Sequence, residues 1–231
     1  MKIKIFLLIL VFSCINLSFY SCNQNNSQTE IEQFESLSED FTDIPDYAMY
    51  GFKSGVVRME SEIMGMKQII TMYFDDWGNE LMNEIHMEFM GQKTHLVTIV
   101  KGNHAYQIDM IKRTGLDFEL DSTSNAQINY LKVDKDLMEK TNMKYIGEVE
   151  ILGRQCKEYE IDMPSDKINV KTAIWNGIAM RTESTMMGFK TSTIVTDIQE
   201  NVKVPAEKFE IPTDIKFEKA EGPISETSVV K

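Results

Sequence analysis

The chain has 231 residues, with 24 Lys and Arg against 36 Asp and Glu, a net charge of −12 and only three Cys. That acidic balance disfavours nucleic acid and anionic lipid head groups as partners, since both require a basic face. One Cys lies in the leader and one at its end, so no intramolecular disulfide and no Cys-based zinc cage is expected either.

The first residues run as Lys2 and Lys4, an apolar stretch from Ile5 to about Phe19, then Ser21 and Cys22, the three-part order of a secretory signal. Cys14, Asn16 and Ser18 interrupt the stretch, which is shorter than the roughly 20 apolar residues a spanning helix needs. In Leu17-Ser18-Phe19-Tyr20-Ser21-Cys22 the small residue directly before a Cys resembles the lipobox of bacterial lipoproteins. That resemblance implies cleavage after residue 21, acylation of Cys22 and attachment to a membrane through the lipid. Two alternatives stand beside it: an ordinary signal that leaves Cys22 as a free thiol, and a lipobox at Cys14. The second would leave the hydrophobic stub Ile15 to Tyr20 in water. Losing Lys2 and Lys4 with the leader takes the net charge from −12 to −14. Asn23, where an Asp would be a retention signal in some bacteria, resembles sorting to the outer membrane of a Gram-negative envelope.

Residues 22–45 read as a polar tether, with apolar positions 31, 34 and 37 suggesting a short helix. A single β-rich domain is expected over 46–220, and a flexible tail over 221–231. Within the domain, Val57, Met59, Ser61 and Ile63 alternate with Arg58, Glu60 and Glu62, and Leu81, Ile85, Met87 and Phe89 alternate with Met82, Glu84, His86 and Glu88. Turn signals recur at Met64-Gly65, Asp75-Asp76-Trp77-Gly78, Met90-Gly91, Gly102-Asn103, Leu152-Gly153, Asn176-Gly177 and Met187-Gly188. Asn176-Gly177 suits a two-residue type I′ hairpin, which sets Trp175 opposite Ile178. Between two strand groups, residues 122–142 form a helical insertion in which Asp134 caps a helix carrying Leu137 and Met138. The expected fold is mainly β: one large curled antiparallel sheet, a half-barrel of about 10–11 strands, with short helices over its open face.

Strands with one wet face must bury the other. Met59, Met87, Met110, Met163 and Met180, with Ile63, Ile85, Phe89 and Tyr159, are the candidate lining of an apolar cavity. Thioether chains suit such a lining, and equally suit ordinary core filling. Catalytic motifs are absent: there is no G-x-S-x-G elbow, H-E-x-x-H pair or Gly-rich phosphate loop. Asp75-Asp76 reads as turn chemistry. Cys156 sits in a strand over 154–162 without a nearby His. A tight turn at Gly91-Gln92 would set His86 opposite Val97 and diagonal to His95; with no third or fourth ligand implied, both read as solvated. No metal, cofactor or enzymatic activity is expected.

Three stretches carry a family likeness: Lys53 to Val57 with Met72 to Gly78, Gly153 to Tyr159 with Trp175 to Arg181, and Val204 to Pro212. Together they resemble bacterial envelope domains of unknown function that are similar to the LolA/LolB lipoprotein carriers. The resemblance covers most of residues 50–217. It implies an antiparallel half-barrel closed by helices over a cavity, which in the carriers receives acyl chains. No motif for docking to a release complex or for insertion into an acceptor membrane can be placed here. Two readings follow: a non-enzymatic binder of a lipid or acyl chain, or a filled structural module docking another envelope protein.

Overall fold

A computed structural model describes residues 34, 43–63, 65–102, 104–120, 128–163, 168–186 and 188–219. Cys22, most of the expected helix around Phe34 and the tail lie outside the described residues. Among the described residues twelve strands form one sheet: β1 (Gly55–Ile63), β2 (Met66–Asp75), β3 (Glu80–Phe89), β4 (Gln92–Lys101), β5 (His104–Asp109), β6 (Thr114–Glu119), β7 (Met143–Ile151), β8 (Arg154–Met163), β9 (Ile168–Trp175), β10 (Ile178–Met186), β11 (Phe189–Glu200) and β12 (Lys216–Lys219). Their order is β12-β6-β5-β4-β3-β2-β1-β11-β10-β9-β8-β7, so two meanders join where β1 pairs with β11. Every pairing is antiparallel except that of β12, which lies parallel to β6. This parallel strand has no hairpin signal and is the strand that the alternation pattern does not reveal.

The sequence builds this sheet by alternation and turn chemistry. Met90 and Gly91 both take positive φ, 47° and 75°, as a two-residue turn between strands of right-handed twist requires. Asn176 and Gly177 do the same, and Trp175 stands opposite Ile178 as expected. Gly177 is constrained a second time: a Cβ there would come within 2.2 Å of the Met49 carbonyl oxygen. Register slips at Arg58/Met59, Tyr145/Gly147 and Ala179/Arg181 add local twist to the curl.

Apolar residues cluster in three places. The largest cluster joins Val57, Phe74, Leu81, Ile178, Met180 and Val195, with Phe52 packed on Phe74 and Trp175. The opposite face of β1–β5 carries a second, in which Val56, Tyr73, Met82, Val97, Ile99 and Ile108 are covered by Val202, Val204, Phe209 and Ile215. That cover is an extended strap with one 3-10 turn, Ala206–Phe209, where helices were expected. Ser54 donates to the Val202 carbonyl at 2.7 Å, and Lys53 donates its backbone N–H to Asn201, so the strap is tied to the start of β1. The third cluster sets Met143, Tyr159, Ile161 and Ile174 beneath Ile128, Tyr130, Val133 and Met138 of the insertion. Here the expected helix is α1 (Lys135–Lys140), and Asp134 accepts from the Leu137 N–H at 2.8 Å as its N-cap. At six residues α1 has no independent stability and is held by packing on β7.

Candidate binding face

The face of β1 that carries Val57, Met59, Ser61 and Ile63 is the more buried one, and register extends it across the sheet. Leu96 lies opposite Ile85, Ile85 opposite Ile70, Ile70 opposite Met59, and Met59 opposite Val195. An apolar row therefore crosses five strands, with Ile85 and Val195 buried and Leu96, Ile70 and Met59 half-buried. Directly beside it runs a polar row. Gln68 is opposite Ser61, Ser61 opposite Thr193, Thr193 opposite Thr182, Thr182 opposite Thr172, and Thr172 opposite Tyr159.

These hydroxyls satisfy one another, as buried polar groups must. Thr193 donates to Ser61 at 2.9 Å, the Thr172 and Thr182 hydroxyls are 3.3 Å apart, and those of Ser184 and Thr191, one row on, are 2.6 Å apart. Of these residues the sequence pattern placed only Ser61 on the inward face, beside Met59 and Ile63. A signal for the others was present, since Thr191, Thr193 and Val195 share a period of two, but a strand pattern does not distinguish a buried hydroxyl from a wet one.

The predicted lining residues are divided by the fold. Met59, Ile63, Ile85 and Met87 share the buried face, with Met87 opposite Gln68 and Ile63 buried. Met180 is fully buried in the largest cluster. Met110 packs with the second cluster on the opposite face, Tyr159 belongs to the third, and Met163 is exposed. Phe89 ends β3, and its side chain is outside the described set. An open hollow of about 370 Å³ lies among Glu62, Asn169, Lys171, Glu183 and Lys190, and none of the predicted lining residues borders it.

Other candidates resolve as structural. Asp75 caps the 3-10 turn after β2, accepting from the Asp76 N–H at 2.7 Å, while Asp76 accepts from Tyr47 at 2.6 Å and Asn79 at 3.0 Å. Both carboxylates are thus committed to the turn. Cys156 is fully buried in the largest cluster, and burial pushes its thiol up from the ordinary range, the reverse of an activated nucleophile. Burial likewise pushes the Tyr50 phenol far up; its hydroxyl donates to the Met72 sulfur at 3.4 Å. Arg154 pairs with Glu200 at 2.6 Å and stacks over Trp175 at 4.8 Å, and Arg181 pairs with Glu158 at 2.6 Å.

The histidines depart from expectation. Because the turn centres on Met90-Gly91, one residue earlier than the register assumed above, His86 stands directly opposite His95 and Glu84 opposite Val97. The two imidazoles stack at 4.2 Å, and both Nε2 atoms approach Glu84 Oε1, at 3.2 Å from His86 and 2.7 Å from His95.

No family model matches the chain. It is 24% identical over 211 residues to an uncharacterized protein of Methanocaldococcus jannaschii, covering 88% of this chain and spanning 57% of that relative's length. Among solved structures, an uncharacterized conserved protein from Thermus thermophilus matches with a TM-score of 0.51 at 8% identity, over 73% of this chain and 91% of that one. The Pseudomonas aeruginosa MucA/MucB complex gives 0.46 at 10% identity over 71% and 57%. A candidate outer membrane lipoprotein-sorting protein domain from Vibrio parahaemolyticus gives 0.37 at 9% identity over 71% and 91%. The likeness to the Thermus thermophilus protein is one of fold. Among the described residues the architecture is one large curled, almost wholly antiparallel sheet with few helices. Among the described residues, no helix is long and apolar enough to cross a membrane.

Proposed function

We propose that this chain is a non-enzymatic, lipid-anchored protein of a bacterial envelope whose curled sheet receives the apolar chain of a lipid or acylated ligand along the row Leu96-Ile85-Ile70-Met59-Val195. The observation that carries the reading is this row itself: five apolar side chains in unbroken register on the buried face, three of them only half-buried. Apolar surface of this kind gains about 25 cal/mol for each Å² that a ligand withdraws from water. The neighbouring row, whose hydroxyls bond to one another, forms the polar margin of this apolar track. The leader and Cys22 supply the anchor in this account, which holds the row close to a bilayer.

Native mass spectrometry of the chain purified without detergent, combined with displacement of a fluorescent fatty acid, tests the reading. A co-purifying lipid, and probe binding weakened by Ile70→Gln, are expected. A ligand-free chain that binds no probe, or equal binding by wild type and variant, overturns it. A second reading is favoured by the β7 end of the sheet, where no further strand pairs among the described residues and Tyr145 and Ile146 are about half exposed. An edge strand with exposed apolar side chains suits strand addition by a protein partner. Under this reading Ile146→Lys would abolish capture of that partner and leave probe binding untouched.

A further inference from the structure

We propose that Glu84, His86 and His95 form a binding site for one divalent transition-metal ion of the borderline class, Zn²⁺, Ni²⁺ or Cu²⁺. The site is built by strand geometry alone. Glu84 and His86 are two apart on β3, so their side chains leave the same face. The Met90-Gly91 turn then fixes His95 of β4 directly opposite His86, on the face that carries Arg58, Glu60 and Glu88 and away from the proposed ligand row. Two imidazole nitrogens and one carboxylate oxygen thus converge from a rigid two-stranded platform, all within 4.8 Å of one another. Tetrahedral Zn²⁺, with bonds of about 2.0–2.2 Å, needs its donors about 3.4 Å apart. Glu84 Oε1 is already 2.7 Å from one nitrogen and 3.2 Å from the other, close to that spacing.

The chemistry of the donors sets the class of ion. Imidazole favours Zn²⁺, Ni²⁺ and Cu²⁺, whereas a hard ion such as Ca²⁺ or Mg²⁺ demands an oxygen cage that this trio does not offer. With neutral imidazoles the trio carries one negative charge, within a chain of net charge −12, so a divalent cation is electrostatically welcome. His86 is 53% exposed, which gives an ion access from solvent and leaves a coordination position for water. Ordinary solvated histidines would not be expected to aim two nitrogens at a single carboxylate oxygen while stacked at 4.2 Å.

The experiment uses full-length chain purified without a polyhistidine tag and stripped with chelator. Equilibrium dialysis against Zn²⁺ up to about 100 µM, an affinity threshold of roughly −5.5 kcal/mol, is read by elemental analysis, with Co²⁺ absorption reporting the geometry. One ion per chain is expected, with intense visible bands of four- or five-coordinate Co²⁺. His86→Ala and His95→Ala should each weaken binding more than about tenfold, Glu84→Gln by a smaller factor, and His104→Ala not at all. All four positions lie on the sheet surface, and far-ultraviolet circular dichroism checks that each variant is folded. Substoichiometric binding, or binding that survives both histidine variants, overturns the proposal.

Discussion

Replacing Thr172 by Val tests whether the polar row is held by mutual hydrogen bonding. The Thr172 and Thr182 hydroxyls are 3.3 Å apart, with 2% and 7% of each residue exposed. Neither can readily turn to bulk water. Removing one hydroxyl leaves the other desolvated and without this partner, at a cost of about 1–3 kcal/mol, whereas removing both leaves an apolar contact that is nearly neutral. For a domain of this size, 1 kcal/mol moves the melting temperature by roughly 2–4 °C, so each single variant should melt about 2–12 °C lower. The Thr172→Val/Thr182→Val double variant should return to within about 1 kcal/mol of wild type. Urea unfolding of all four proteins closes the cycle. Additivity within about 0.5 kcal/mol would show that the two hydroxyls do not depend on one another and would refute the reasoning.

Phe209, 1% exposed, pins the strap to the second cluster, and Phe209→Ala should cost about 3–5 kcal/mol in urea unfolding and loosen β12, measured by amide exchange at Phe217. Asp134→Ala removes the cap of α1, and a loss of about 0.5–2 kcal/mol is expected by the same assay. Burial raises the Tyr50 phenol in the folded chain, so the folded state holds that proton more tightly than the unfolded one. Its contribution is complete below the ordinary tyrosine range and is lost as pH rises beyond about 10. The urea midpoint should therefore fall between pH 9 and 11, more gently in Tyr50→Phe; equal slopes would count against it. Cys156 should resist a thiol reagent at pH 8 until the chain unfolds.

Alternation and turn dipeptides made much of the sheet legible. Asn176-Gly177 has the backbone that its residue types favour, Met90 takes a positive φ that only the following Gly91 favours, and the Asp134 cap stands where the sequence puts it. What escaped was nonlocal. β12 pairs parallel with a strand about a hundred residues earlier, and no local pattern encodes such a partner. The strap over Val56 and Tyr73 also escaped, because Val202, Val204 and Phe209 show neither helical nor strand period. At the site, a one-residue difference in turn position decided whether two histidines were diagonal or face to face. Met110 was placed with Met59 at an inferred inward position, but it follows the end of β5 and packs with the second cluster on the opposite face.

The most direct test of the binding account is methyl NMR of the chain labelled at Ile, Leu and Met and titrated with a monoacyl lipid. The account predicts shifts at Met59, Ile70, Ile85 and Leu96, while Ile99 and Ile108, on the strap side, stay fixed. Shifts confined to the strap side, or none at saturating lipid, would contradict it.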